Sequence, residues 1–121
     1  AGDIGALAKL QKCKTSHFGE TLAFLVCADK NLCWEREYDG KSSCDTDASI
    51  VSTYMMLEAC GQGLGSPWLM HFIPDAVRSE FNIPENEEPV SLLVMGYPAE
   101  DSKPAPLHFK SKSADETVKY L

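Results

Sequence analysis

The sequence predicts a folded domain that combines helices with strands. A continuous apolar run of strand length, residues 22–28, and a second segment typical of a buried strand, residues 90–96, alternate with segments whose apolar positions have helical spacing. Hydrophobic residues make up 44% of the chain and charged residues 24%, which excludes a disordered chain. A length of 121 residues suits one domain, so we expect residues 1–121 to form a single domain with a real core.

The first third of the chain is predicted to form a helix, a strand and a second helix. Residues 4–13 have apolar positions at helical spacing, and Asp3 can cap that helix at its N-terminus. The run 22–28 is continuously apolar, which is typical of a strand buried on both faces. Residues 32–38 are expected to form a short helix anchored by Trp34.

The clearest predicted helix lies in the middle of the chain. It is capped by Asp45 or Asp47 and continues to Cys60. Because apolar residues occur on more than one of its faces, we expect it to be central and largely buried. Gly61 and Gly63 would end it by adopting the left-handed conformation.

The remaining elements are two short helices and a second buried strand. A helix over 74–81 precedes the strand 90–96, and Ser113 with Glu116 forms a capping box for a last helix through Tyr120. Two strands are few for a sheet. We therefore expect either further strands from outside this chain or a chain that is part of a larger domain.

Charge and cysteine content argue against several classes of protein. With 11 Lys and Arg against 18 Asp and Glu, the net charge is −7, so nucleic acid is not an expected partner. The run 22–28 is too short to span a bilayer and no signal peptide is recognised, so no membrane partner is expected. Five cysteines at irregular spacing, without Cys-x-x-Cys, predict reduced thiols, no metal site and a cytoplasmic location. We expect Cys27 and Cys60 to be buried.

No motif for catalysis by side chains is present. The chain lacks a Gly-x-Ser-x-Gly elbow and a dinucleotide fingerprint, so no residue is assigned as catalytic. A Cys–His pair that meets only in the fold stays open. Gly61, Gly63 and Gly65 follow a helix instead of opening one, so we expect them to stop the helix rather than bind phosphate.

Two other features suggest ligand binding without deciding it. The loop over residues 63–72 contains Trp, Leu, Met and Phe, although surface loops are usually polar. It either packs against the protein's own core or holds a flat heteroaromatic ligand with its apolar side chains and backbone amides. Lys110 and Lys112 alternate along an extended segment and so face one side, where they bind a phosphate or are simply solvated.

Several motifs occur in an order and spacing that are specific in combination. Gly-Leu-Gly-Ser-Pro-Trp lies at 63–68, and Pro-Val, an apolar strand and Gly-Tyr-Pro lie within 89–100. Supporting segments are found at 39–41, 47–51, 56–59 and 81–85. On these motifs, residues 15–121 resemble the nitroreductase family of FMN-dependent oxidoreductases.

The resemblance implies an α+β fold in which a central, mostly antiparallel sheet is flanked by helices. It also implies a homodimer with one FMN at each of two sites between the subunits. The implied reaction is ping-pong: NAD(P)H reduces the flavin and leaves, and a nitroaromatic or quinone-like small molecule then accepts the electrons.

The resemblance also assigns cofactor-binding residues by position. The amides around Leu69, Met70 and His71 correspond to donors to flavin N5 and O4, and Trp68 and Leu69 would lie against the isoalloxazine. Two lysines correspond to basic positions that reach the FMN phosphate. The full set of expected cofactor-binding residues is Gly65, Ser66, Trp68, Leu69, Met70, His71, Lys110 and Lys112.

One departure from the family pattern keeps a second function open. Family members begin with helices whose basic cluster holds the FMN phosphate, and this chain starts where the second part of the domain starts. We therefore expect a partial nitroreductase-like domain. The alternative to an active reductase is a non-catalytic fragment or small-ligand-binding module that keeps the fold without stable flavin.

Overall fold

A computed structural model describes residues 3–120 of the chain. Three antiparallel strands form one sheet in the order β1-β3-β2, and helices cover both faces of it. The α+β class with an antiparallel sheet is therefore confirmed. The elements are α1 (Ile4–Gln11), β1 (Leu22–Asp29), α2 (Cys44–Gly61), β2 (Trp68–Leu69), α3 (Pro74–Phe81), β3 (Glu87–Met95), a 3-10 turn (Pro106–Phe109) and α4 (Ala114–Thr117).

The central strand β3 carries most of the core. Its residues alternate between the two faces of the sheet, as strand geometry requires. Leu92 and Val94 pack on the side of α1 and α3, and Leu93 and Met95 pack on the side of α2. All residues from 89 to 95 are buried, so the predicted buried strand in this region is confirmed.

Strand β1 pairs with β3 along its whole length, from Leu22 opposite Met95 to Asp29 opposite Glu87. Its existence is confirmed, but the expected burial on both faces is wrong. Within β1 only Ala23 and Ala28 are buried, because β1 lies at the edge of the sheet and α2 covers its outer face incompletely.

Helices α1 and α3 begin as the sequence predicts. Asp3 caps α1 by accepting a hydrogen bond from the Ala6 amide at 2.9 Å. Pro74 occupies the first turn of α3, where its missing amide hydrogen costs nothing. Asn82 ends α3 in the left-handed conformation, with φ of 53°.

Helix α2 has the predicted position but not the predicted burial. Its buried face consists of small residues, Cys44, Ala48, Ser52 and Ala59, which allow a close approach to the sheet. The expectation of a largely buried helix is wrong because, among residues 3–120, only the sheet side of α2 is covered by protein. The large apolar residues on its outer side are exposed: Ile50, Val51, Tyr54 and Leu57.

The ends of α2 also differ in detail from the prediction. The N-cap is Ser43, whose hydroxyl donates to Asp47 Oδ2 at 2.6 Å. At the other end, Gly61 is the last helical residue, and only Gly63 adopts positive φ, at 76°.

The segment between β1 and α2 corrects two expectations. Residues 32–38 form turns rather than a helix, and Trp34 is 65% exposed instead of anchoring them. Cys33 and Cys44 form a disulfide, so the expectation of five reduced thiols is wrong for this pair. The turn brings the two Cα atoms to 5.3 Å, a proximity that sequence spacing did not indicate.

The three free cysteines only partly follow the predicted burial. Cys13 is buried, Cys27 is half-buried and Cys60 is exposed. Burial raises the pKa of both the Cys13 and the Cys27 thiols. The expected burial of Cys60 is wrong, because this residue lies in the last turn of α2 outside the buried face of the helix.

Residues 97–120, called the C-terminal arm below, are all exposed. Ser113 is the N-cap of α4, but the predicted capping box is not formed, because Ser113 Oγ bonds to the Glu116 side chain at 3.3 Å and no side chain caps the backbone. Helix α4 also ends at Thr117 rather than at Tyr120. Between residues 3 and 120, no helix is long and apolar enough to cross a membrane.

Candidate functional site

The loop over residues 63–72, called the site loop below, is attached to the sheet at its first half. Gly65 and Gly96 exchange both backbone hydrogen bonds, at 2.9 and 3.2 Å, and the Val94 amide donates to the Pro67 carbonyl at 3.4 Å. The next residues form β2, which pairs with β3. We call this attachment the inner anchor of the site loop.

The inner anchor decides which loop amides are free. Directly bonded pairs alternate along an antiparallel ladder. Since Gly65 pairs with Gly96 and Pro67 with Val94, the next bonded pair is Leu69 with Leu92. The Leu69 amide therefore donates to Leu92 within the sheet and is not available to a ligand. Of the loop amides predicted to donate to a ligand, only those after Leu69 remain.

The second half of the site loop is attached to the segment after α1. Lys14 and Phe72 form an isolated antiparallel bridge, and the Ile73 amide donates to the Cys13 carbonyl at 2.7 Å. A side-chain hydrogen bond joins Thr15 Oγ1 to His71 Nδ1 at 3.3 Å. We call this attachment the outer anchor.

Two backbone amides between the anchors lack an acceptor. Among residues 3–120, no hydrogen bond is made by the amide of Met70 or by that of His71. Both residues are exposed, and Met70 is 66% exposed. An exposed amide normally binds water, so these two donors are available to a ligand without breaking any bond of the protein.

Strand β2 consists of one aromatic and one aliphatic residue, and their side chains point to opposite faces of the sheet. Trp68 packs with Leu93 and Met95 on the α2 side of the sheet, whereas Leu69 packs with Leu92 on the other side. A flat ligand on one face of β2 therefore meets one of these side chains, not both. Trp68 Nε1 also donates to the Met70 sulfur at 3.1 Å, which ties the indole to the exposed part of the loop.

The remaining predicted site residues fall into two groups. Gly65 and Ser66 are half-buried in the inner anchor. Lys110 and Lys112 are exposed on the C-terminal arm, and the hydrogen bonds and ring contacts described for residues 103–120 all lie within that arm. Within the described part of one chain, no such contact brings the lysines to the site loop.

A buried ion pair lies behind the outer anchor, and sequence reasoning missed it. Lys14 Nζ is 2.6 Å from Glu20 Oε1. Burial raises the pKa of Glu20, but the hydrogen bonds from Lys14 and from the Phe18 amide outweigh it and lower that pKa to about 2. Nothing in the sequence pattern marks these residues, because charged residues in a linker are usually solvated.

An apolar groove of about 430 Å³ runs between β1 and α2, beside the start of the site loop. Its lining includes Phe24 from β1, Tyr54 and Met55 from α2, and Leu64 from the loop. Of the exposed apolar residues on the outer side of α2, only Tyr54 lines this groove.

Comparison with known proteins decides the family. The model of the nitroreductase family matches residues 6–97, which is most of the chain. The chain belongs to the nitroreductase family. The resemblance first drawn from the motifs is thereby confirmed.

Individual members of the nitroreductase family give the same result. A crystal structure of a nitroreductase family protein from Clostridium difficile 630 superposes with a TM-score of 0.90, at 39% identity, over 99% of this chain and 70% of that one. An FMN-dependent nitroreductase from Clostridium difficile R20291 has a TM-score of 0.69 at 24% identity, which shows the fold, over 99% of this chain and 71% of that one.

A curated relative from Methanothermobacter thermautotrophicus, named as an NADH dehydrogenase/NAD(P)H nitroreductase, is 32% identical over 89 residues. The match covers 66% of this nitroreductase-family chain but only 41% of the relative.

Proposed function

We propose that this chain supplies the flavin-facing wall of an FMN-dependent oxidoreductase that uses NAD(P)H. The observation that carries the proposal is the pair of free amides at Met70 and His71, held between two anchors on an otherwise apolar loop. Membership of the nitroreductase family and the FMN-dependent relative support it.

The residues of the site loop fit the edge of a flavin ring. The Met70 and His71 amides would donate to its N5 and O4 atoms, and Trp68 would contact the ring on the α2 side. Bound FMN supplies the chemistry, because it takes a hydride from NAD(P)H and passes electrons to an acceptor. Fixed donors favour the electron-rich ring without rearranging, which is the contribution of this chain.

The acceptor is a nitroaromatic or quinone-like small molecule, and the kinetics are ping-pong because reductant and acceptor use the same face. The chain acts as one domain, partial relative to its family, in the cytoplasm. Neither nucleic acid nor membrane takes part.

Assembly is the part of the proposal that completes the site. The exposed apolar residues Ile50, Tyr54 and Leu57 on α2 are suited to a homodimer interface, since isolated domains rarely expose such a surface. In a homodimer, the C-terminal arm of one subunit can bring Lys110 and Lys112 to the FMN phosphate at the other subunit's loop.

The loop amides are tested by removing one of them. Met70→Pro deletes the amide hydrogen, and we expect flavin reduction by NAD(P)H to slow by about tenfold or more, as when one charge-stabilising donor is lost. Met70→Ala is the matched control and should keep most of the rate. The measurement is anaerobic stopped-flow bleaching of the flavin, after an absorption titration has shown full FMN occupancy.

The register of the site is tested in the same assay. His71→Pro should slow reduction like Met70→Pro, since both amides are free. If both proline variants reduce at the rate of the parent, the site loop does not bind the flavin edge.

The lysines are tested by comparing two flavins. We expect Lys110→Glu with Lys112→Glu to weaken FMN binding by at least about tenfold but to leave riboflavin binding nearly unchanged, because riboflavin has no phosphate. The two dissociation constants are measured by fluorescence quenching. Equal losses for both flavins would contradict a phosphate-binding role.

A second function is favoured by the separation of the lysines from the site loop within one chain. In that case the chain is a small-ligand-binding module, without catalysis, that keeps the fold but not the flavin. A visible spectrum distinguishes the two functions, because bound FMN absorbs near ~450 nm.

A further inference from the structure

The buried ion pair behind the outer anchor organises its own segment of chain. The side chains of Lys14 and Glu20 are 0% and 2% exposed. Lys14 Nζ also donates to the Ser16 carbonyl at 2.5 Å, while Gln11 Nε2 and the Phe18 amide each donate to the Glu20 carboxylate at 3.0 Å. Gln11 is the last residue of α1, and the other partners lie between α1 and β1. The pair therefore folds this linker onto itself and against the end of α1.

General stability is a weak reason for such a pair. Desolvating two charges is costly, and replacing a buried ion pair by neutral groups of similar size is often close to neutral for stability. What the pair provides is a fixed geometry, because each charge is held by several directed hydrogen bonds. With the pKa of Glu20 at about 2, its carboxylate stays ionised throughout the neutral range.

The fixed segment is the one that holds the site loop. Lys14 itself bridges Phe72, and its two neighbours bond to the loop on either side of that bridge. The Cys13 carbonyl accepts from the Ile73 amide at 2.7 Å, and Thr15 Oγ1 bonds to His71 Nδ1. A shift of Lys14 would therefore move the outer end of the site loop.

We propose that Lys14 and Glu20 are positioning residues for the ligand edge of the site loop. Their ion pair fixes residues 13–15, and through the outer anchor it sets the direction of the Met70 and His71 amides. The inference rests on the proposed function for the identity of the ligand, but the coupling between the ion pair and the loop does not.

The test removes both charges together, so that no buried charge is left unpaired. In the 121-residue chain, Lys14→Met with Glu20→Gln should speed hydrogen exchange of the Ile73 amide by about tenfold, since that amide is the bond of the outer anchor. Exchange of the Leu93 amide in β3 should not change. FMN affinity, measured by fluorescence quenching, should fall by about tenfold.

A matched pair of surface charges serves as the control. Lys12 and Glu80 form an ion pair at 2.9 Å, in which the side chain of Lys12 is largely exposed. Lys12→Met with Glu80→Gln makes the same two chemical changes and should alter neither Ile73 exchange nor FMN affinity.

Three results would overturn the proposal. Ile73 exchange equal to that of the parent would show that the ion pair does not hold the loop. If hydrogen exchange speeds up equally at Ile73 and Leu93, the ion pair stabilises the whole fold and does not specifically hold the site loop. Faster Ile73 exchange with unchanged FMN affinity would show that the outer anchor does not determine the direction of the Met70 and His71 amides.

The test still gives an answer if the double variant does not fold or if the parent binds no FMN. If the double variant does not fold, Glu20→Asp keeps the charge but shortens its reach, and it should speed exchange at Ile73 without doing so at Leu93; exchange like that of the parent would overturn the proposal. If the parent itself binds no FMN, the proposed function fails, and the exchange at Ile73 alone decides whether the pair positions the loop.

Discussion

Strand β3 and helix α2 are both rich in apolar residues, yet the fold covers them very differently. Helices lie on both sides of β3, and its residues from 89 to 95 are all buried. Within the part of the chain that the structure describes, helix α2 contacts protein on one side only, and Leu57 on its outer side is 64% exposed. The difference teaches that an element's place among the layers, rather than its own apolarity, decides how much of it is buried.

The largest expected effect comes from the strand. Leu93 is fully buried between β3 and α2, so Leu93→Ala should lower the free energy of unfolding by about 2–5 kcal/mol through lost burial and a residual cavity. The measurement is urea denaturation followed by far-ultraviolet circular dichroism. Leu57→Ala makes the same chemical change on the outer side of α2 and should stay within about 0.5 kcal/mol at nanomolar concentration.

The same pair of variants also reports on assembly. If a second copy covers α2, the loss caused by Leu57→Ala should grow as protein concentration rises, whereas that of Leu93→Ala should not. A cost for Leu57→Ala that is large at every concentration would contradict the contrast between the two elements.

A somewhat smaller effect is expected at the start of α2. The Cys33–Cys44 disulfide closes a loop over a sequence separation of 11, and its loss should lower the free energy of unfolding by about 3 kcal/mol in the chain-entropy treatment. Cys33→Ser should show this loss in thermal or urea unfolding. Cys60→Ser changes an exposed free thiol and is the control. Equal stability of the parent with and without reductant would contradict the expectation.

The smallest effect concerns the contact between the two elements. Ser52 Oγ donates to the Ala48 carbonyl at 2.8 Å and lies 2.7 Å from Ser91 Oγ, so the Ser91 hydroxyl donates to Ser52. Ser52→Ala leaves that buried donor without an acceptor and should cost about 1–3 kcal/mol. Ser91→Ala leaves Ser52 bonded to Ala48 and should cost less. The reverse order in urea denaturation would show that the hydrogen-bond direction is different.

Much of the fold follows from local sequence signals. Asp3 and Pro74 each mark a helix start, because such signals act at the first backbone amides of the helix. Ser113 does precede α4, but its hydroxyl bonds to the Glu116 side chain and not to the backbone. The two strands are visible as apolar runs for the same local reason. The short strand β2 is not, since two residues form a strand only because β3 lies beside them.

The features that the sequence does not predict all depend on distant contacts. Residues 32–38 have apolar side chains suited to a short helix. They form turns instead, and the turns bring Cys33 close enough to Cys44 for a disulfide. The site loop was identified from its unusual apolar content. Which of its amides are free depends on ladder alternation against β3, and the role of Lys14 depends on a carboxylate that approaches it only in three dimensions.

The pairing of β1 with β3 has a consequence for how the chain acquires its structure. Strand β1 has no partner among nearby residues, since Leu22 pairs with Met95 and Asp29 with Glu87, so the described sheet closes only when distant parts of the chain meet. Pairings of such long range slow folding, because loop closure must come before the contacts that reward it. On a ribosome, β1 and the apolar side of α2 would emerge well before β3, and this nascent chain would expose both until residue 95 is free of the exit tunnel.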